Sequence, residues 1–221
     1  KERVELNGGN LQYNLSNGGQ LGYMHMQLSD NASELRDGMQ VDDVRIIGLP
    51  VPGLSNLKLS AEYVWQKNDD LRARGWYAGA SYTFAESPWQ PTLAYKYSEF
   101  SRGYDPLFYG SSGGWGTWVQ GEVVGEYMLF NNNQKTSQLK LTLSPISTVS
   151  TGVVFYKFDF KDKPDGVDDK SFAKEADLYV DWTPSAHWVL GGLAGVAKPG
   201  DGAKQYFGSS DTSVLFQAYA V

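Results

Sequence analysis

Acid–base, nucleophilic and metal chemistry have few residues to work with in this 221-residue chain, which holds two histidines and no cysteine. His25 lies in an extended stretch and His187 in a tight turn beside Trp188. A serine hydrolase or a metal centre needs a histidine supported by a nucleophile or by further ligands, and neither neighbourhood supplies one. Asp162, Asp165, Asp168 and Asp169 form an acidic loop. They miss the regular oxygen spacing and closing Glu of a calcium hand, so a solvated loop is the expectation. No enzymatic activity, cofactor or metal is expected. The lack of cysteine fits an oxidising compartment.

The remaining polar residues that could do work are charged side chains placed at every second position. In Leu57-Lys58-Leu59-Ser60-Ala61-Glu62-Tyr63, in Gln138-Leu139-Lys140-Leu141-Thr142-Leu143-Ser144 and in Glu175-Ala176-Asp177-Leu178-Tyr179-Val180-Asp181-Trp182, apolar and polar residues alternate. With apolar positions taken as outward, the inward set is Arg45, Lys58, Glu62, Lys96, Gln120, Glu122, Glu126, Lys140, Lys157, Asp159, Glu175, Asp177, Asp181 and Gln217. Arg45, Lys58, Lys96, Lys140 and Lys157 are the basic pore-lining candidates. Glu62, Glu122, Glu126, Glu175, Asp177 and Asp181 are the acidic ones. Rings of basic residues favour anions in a pore, and carboxylates favour cations. The other reading is that opposite charges on adjacent strands brace the wall, with Glu122 and Glu126 facing Lys140. Lys+Arg 19 against Asp+Glu 25 leaves a charge of −6, which makes nucleic acid an unsuitable partner.

Period two is the period of a strand with one greasy and one wet face. It predicts about twelve strands, near 3–15, 20–29, 41–49, 57–67, 72–84, 91–100, 117–130, 137–145, 150–161, 174–183, 186–197 and 211–221. Many have the 9–13 residues that a tilted strand needs to cross a bilayer, about twice the usual strand length. Short turns such as Ser16-Asn17-Gly18-Gly19 and Thr183-Pro184-Ser185 contrast with polar loops at 30–40, 101–116, 162–173 and 198–210. Outer-membrane barrels have that inequality. Aromatics are 14% of the chain. Trp65, Trp76, Phe84, Tyr95, Tyr97, Tyr127, Phe130, Phe158, Phe160, Trp182 and Trp188 are placed toward strand ends, where interfacial girdles sit. No stretch approaches the roughly 20 apolar residues of a membrane helix.

The count of crossings conflicts with the loops. If the short turns share one side, 91–100 and 117–130 cannot both be single crossings. Either the 101–116 loop dips into the barrel or one strand is misassigned. That loop carries Leu107, Phe108 and Tyr109 after Asp105, too apolar for a solvated connection. Folded into the mouth, these four residues form a constriction or brace the wall. Tyr104, Trp115 and Trp118 are candidates for stacking on sugar rings.

Asp105-Pro-Leu-Phe-Tyr-Gly110, Trp115-Gly-Thr-Trp118 and Gly125-Glu-Tyr127, followed by Gln138-Leu-Lys-Leu141, resemble the alginate export family of bacterial outer-membrane β-barrels over about residues 100–200. The resemblance implies a passive channel for polysaccharide or small polar solutes. Members of that family are longer, have more strands and tend to finish on an aromatic residue, whereas this sequence ends Ala218-Tyr-Ala-Val221. The expectation is an all-β, antiparallel transmembrane β-barrel of about twelve strands. It forms one domain over 1–221, either a smaller relative or the C-terminal part of a larger barrel. The expected location is the bacterial outer membrane, and the expected partners are its lipid and a polar or anionic saccharide. Two alternatives stay open: a soluble carbohydrate-binding β-sandwich, and a barrel enzyme acting on lipid through His25 or His187.

Overall fold

Alternation is strongest where one face of a strand is covered and the other is not. From Val153 to Phe160 on one strand, the even-numbered side chains are buried and the odd-numbered ones are exposed or half-buried. A computed structural model describes residues 4–107 and 120–221, apart from 31 and 35. It contains eleven strands: β1 (Val4–Asn14), β2 (Gln20–Asp30), β3 (Gln40–Val51), β4 (Leu54–Lys67), β5 (Arg72–Thr83), β6 (Thr92–Phe100), β7 (Gln134–Ile146), β8 (Val149–Phe160), β9 (Ser171–Ser185), β10 (Trp188–Pro199) and β11 (Ser213–Ala220). They form one sheet in chain order, every neighbouring pair antiparallel. Among the described residues the sheet is not closed: β1 pairs only with β2, and β11 only with β10. All eleven strands belong to this one sheet.

The expected strand over 117–130 is a correction over 120–130, residues 117–119 lying outside the described residues. Residues 120–124 turn, and Gly125–Leu129 is a π-helix closed by Phe130 at φ 51°. The conflict in the count of crossings disappears with it. Connections 15–19, 52–53, 84–91, 147–148 and 186–187 lie at one end of the sheet. Those at 31–39, 68–71, 101–133, 161–170 and 200–212 lie at the other, the last containing helix α1 (Asp201–Phe207). Apart from the tight 68–71 turn, the second set is the longer one, as the sequence predicts.

Residues 101–107 and 120–130 fold back onto one face of the sheet, here the inner face. Tyr104 joins Val41, Val64, Ala73 and Phe100, and Leu107 packs against this cluster. Val123, Val124 and Leu129 join Val154, Tyr156, Phe158 and Phe172. The loop-side half of the inner face therefore mixes apolar side chains with buried polar ones such as Gln66, Ser98, Gln134, Thr136 and Glu175. This overturns the assignment of Phe158 and Phe160 to an outer girdle, because both are buried under the folded-back segment. Tyr127 and Phe130 belong to that segment and not to strand ends.

Among the described residues nothing covers the outer face. Leu59, Tyr63, Trp65, Leu93, Tyr95, Leu139, Phe155, Leu178, Val180, Trp182 and Phe216 are exposed on it, Phe216 to 79%. Cross-strand partners share a face, and the register aligns these residues in rows such as Leu139–Phe155 and Val153–Leu178–Ala194–Phe216. On β4 the apolar outer positions run from Leu57 to Trp65, about 27 Å along the strand.

Candidate functional site

Register assigns each candidate to a face. One inner row reads Lys58, Ser81, Ala94, Lys140, Val154, Asp177, Gly195 across β4 to β10. The next reads Gly79, Lys96, Gln138, Tyr156, Glu175, Ala197. Arg45 is opposite Glu62, itself opposite Tyr77. Asp181 and Gln217 are also on the inner face, opposite Gly191 and Leu193. Lys157 is a correction. It is opposite Ser137 and Lys174 on the outer face, with Asp159 two residues on. The inner positions of β8 are the even-numbered ones, because residues 120–130 need an apolar seat there.

The inward charges have four distinct settings. Lys96 and Lys140 come from adjacent strands, and each ammonium lies over a tyrosine ring, Lys96 at 5.3 Å from the centre of Tyr77 and Lys140 at 5.2 Å from that of Tyr179. Cation–π contact holds a charge in place without neutralising it. Arg45 has a carboxylate partner, Asp43 Oδ1 at 2.6 Å, and also donates to Asn10. Asp181 accepts a hydrogen bond from the Tyr219 hydroxyl at 2.5 Å.

Glu175 and Asp177 serve the folded-back segment. The backbone N–H groups of Val123 and Val124 donate to the two Glu175 carboxylate oxygens at 2.9 and 2.8 Å, and Glu122 N–H donates to Asp177 at 3.4 Å. A buried carboxylate accepting two N–H bonds is a strong anchor. Gly121 makes the approach possible. Its φ is +89°, and a Cβ there would lie 2.5 Å from Phe158 Cζ and 2.9 Å from Glu175 Oε1. Glu122 is off the strands, so the ladder expected between it and Lys140 across two strands does not form. Burial, aided by Glu126 and Glu175, pushes its carboxyl up to about 8. Burial raises Glu126 as well.

The first part of the segment is clamped on the opposite side of the inner face. Gln66 accepts from the Asp105 N–H at 2.9 Å and donates to the Asp105 carbonyl at 2.6 Å. Arg36 donates to both Asp105 carboxylate oxygens, at 2.6 and 3.1 Å, and the Asp105 carboxylate raises the arginine further above its ordinary value. Arg36 and Gln66 were not singled out in the sequence; the only signal for them is a polar residue facing an apolar loop. Tyr104 packs on Phe100, ring centres 5.1 Å apart, and is 7% exposed, so its ring is not displayed for stacking. Phe108, Tyr109, Trp115 and Trp118 lie outside the described residues. Above the segment a cavity of 770 Å³ is bordered by Met39, Tyr104, Met128, Phe160, Phe172 and Tyr206.

Of the two histidines, His25 is on the outer face. Its Nδ1 is 2.8 Å from Asp42 Oδ1, which also accepts from the Tyr23 hydroxyl. Among the described residues no hydroxyl nucleophile bonds the His25 ring. In the acidic loop the Asp162 carbonyl accepts from Asn133 and the Asp168 N–H donates to Gln205; among the described residues no three His, Asp or Glu side chains are grouped as a metal site. No family model matches this sequence, and no curated protein matches it.

Proposed function

We propose that this protein is part of the wall of an outer-membrane β-barrel and provides a water-filled path for polar solutes, narrowed from within by residues 101–107 and 120–130. The observation that carries this reading is the uncovered apolar outer face. Soluble monomers rarely expose contiguous apolar patches beyond a few hundred Å². Here an apolar row from Leu49 to Val214 continues across nine strands, within a band close to the about 25 Å of a barrel's lipid-facing belt. Bilayer hydrocarbon would cover such a surface on many strands at once.

The edges state what closure requires. β1 and β11 both run from the long-loop end to the short-turn end. A wall with every neighbour antiparallel then closes only if an odd number of strands, alternating in direction, stands between them. In the path itself, Lys58, Lys96 and Lys140 are close together in register on β4, β6 and β7. They favour an anionic solute, an acidic saccharide among them. Glu175 and Asp177 hold the inserted segment, while Glu62 and Asp181 share the inner face with these lysines.

Planar-bilayer conductance with a salt gradient tests the proposal. The expected result is discrete current steps with a reversal potential on the anion side. An absence of steps removes the channel, and a cation-side reversal removes the anionic solute.

A further inference from the structure

Charge on the outer face is confined to one margin. Among the described strand residues that register places outward, the charged ones are Lys67, Arg72, Arg74, Lys135, Lys157, Lys174 and Lys198 against Glu5, Asp42, Glu99 and Asp159. All lie on the long-loop side of the apolar band, and none on the short-turn side. This margin is net positive in a chain of net charge −6.

Its centre is a row of lysines. Lys157 on β8 is directly opposite Lys174 on β9, which is directly opposite Lys198 on β10. All three are exposed. Like charges directly opposite each other destabilise a sheet, and the row has one paired carboxylate, Asp159, 2.9 Å from Lys157 Nζ. The next outer row toward the short turns is Phe155, Ala176, Val196 and Val214, wholly apolar. The ammonium groups thus stand where acyl chains give way to headgroups. Further along the margin, a second opening of 470 Å³ is bordered by Tyr63, Trp65, Lys67, Arg72, Arg74 and Lys161. Aromatic rings at the interface with cations just beyond them suit an amphiphile whose head is anionic.

We infer that the Lys157–Lys174–Lys198 row binds the phosphate headgroup of an anionic lipid in the leaflet on the long-loop side. This rests on the barrel reading. A phosphate bridging the lysines removes their mutual repulsion, while its acyl chains lie along Phe155 and Val196. Asymmetry between the margins makes the site specific to one leaflet.

The test inserts the full chain into phosphatidylcholine bilayers containing phosphatidylglycerol and reads the retained lipid by native mass spectrometry. It does the same for a variant carrying Lys157→Gln, Lys174→Gln and Lys198→Gln. The wild-type protein retains phosphatidylglycerol over phosphatidylcholine by at least about tenfold, and the variant, inserting equally well, by less than about twofold. Equal retention by both proteins, or no preference in the wild type, overturns the inference while leaving the barrel standing. Failure of both proteins to insert overturns the barrel reading and the inference with it. Inorganic phosphate at matched ionic strength leaves the wild-type preference intact; displacement by it shows a free-phosphate site and overturns the lipid assignment.

Discussion

Replacing Glu175 with alanine removes both acceptors of the Val123 and Val124 N–H bonds at a position 3% exposed. Each buried N–H left without a partner costs about 1–3 kcal/mol. Some of that returns when water enters the space vacated by the carboxylate, so the docked segment loses roughly 2–3 kcal/mol in all. At 1.36 kcal/mol per decade this is about a 30- to 150-fold rise in the population with 120–130 undocked. Amide hydrogen exchange reads it directly. The Val123 and Val124 amides exchange faster by that factor in Glu175→Ala, while amides in the β4–β5 ladder, on the other side of the sheet, keep wild-type rates. Glu175→Gln keeps one acceptor oxygen and shows a smaller rise. Under the channel proposal the alanine variant also conducts more, because the constriction is open more of the time. Unchanged Val123 and Val124 exchange in a protein that remains folded refutes the anchoring role given to Glu175.

Gly121→Ala combines a positive φ with a Cβ 2.5 Å from Phe158, so thermal unfolding is expected to show a loss of about 2 kcal/mol or more. Asp105→Asn weakens a two-point pair whose arginine is 44% exposed. Its cost stays near about 1 kcal/mol, and exchange of the 103–107 amides reports it. Glu122 has a folded value of about 8 against an ordinary 4.5, so the folded state holds a proton that the unfolded chain has lost between those values. Stability conferred by this group is full below 4.5, falls as pH rises to about 8 and is flat above it. Melting temperatures of wild type and Glu122→Gln compared across that window show a steeper fall in the wild type, because Glu126 also holds a raised value in both proteins; parallel curves contradict the assignment.

Strands were legible because their faces differ. Leu139-Lys140-Leu141-Thr142 on β7 alternates without exception, and its register neighbours keep the same faces. Legibility failed where both faces of a strand are apolar. On β8, Val153 and Phe155 face outward while Val154, Tyr156, Phe158 and Phe160 face the inserted segment, so the period alone allowed either assignment and put Lys157 on the wrong side. Residues 120–130 were misread for the opposite reason. Val123, Val124 and Leu129 are buried like a strand's inner positions, but their partners are other segments' side chains, and Gly121 and Gly125 supply turns that alternation does not register. The apolar Leu107 beside Asp105 did signal an inward loop. The signal named the segment but not the residues that hold it, because Arg36, Gln66 and Glu175 come from distant parts of the chain. Lys58, Lys96 and Lys140 were found because a lysine between apolar neighbours stands out in any two-residue pattern.

Whether the outer face touches hydrocarbon is settled most directly by depth-sensitive labelling, for which a chain without cysteine is well suited. Single cysteines at Leu139, Leu178 and Phe216 on the outer face, and at Lys96 and Lys140 on the inner, each carry an environment-sensitive fluorophore in bilayers containing brominated acyl chains. Strong quenching at the first three and water-like emission at the last two is the predicted result. Equal quenching at both sets, or dry unquenched emission at Leu139, Leu178 and Phe216, contradicts a wall with lipid on one side and water on the other.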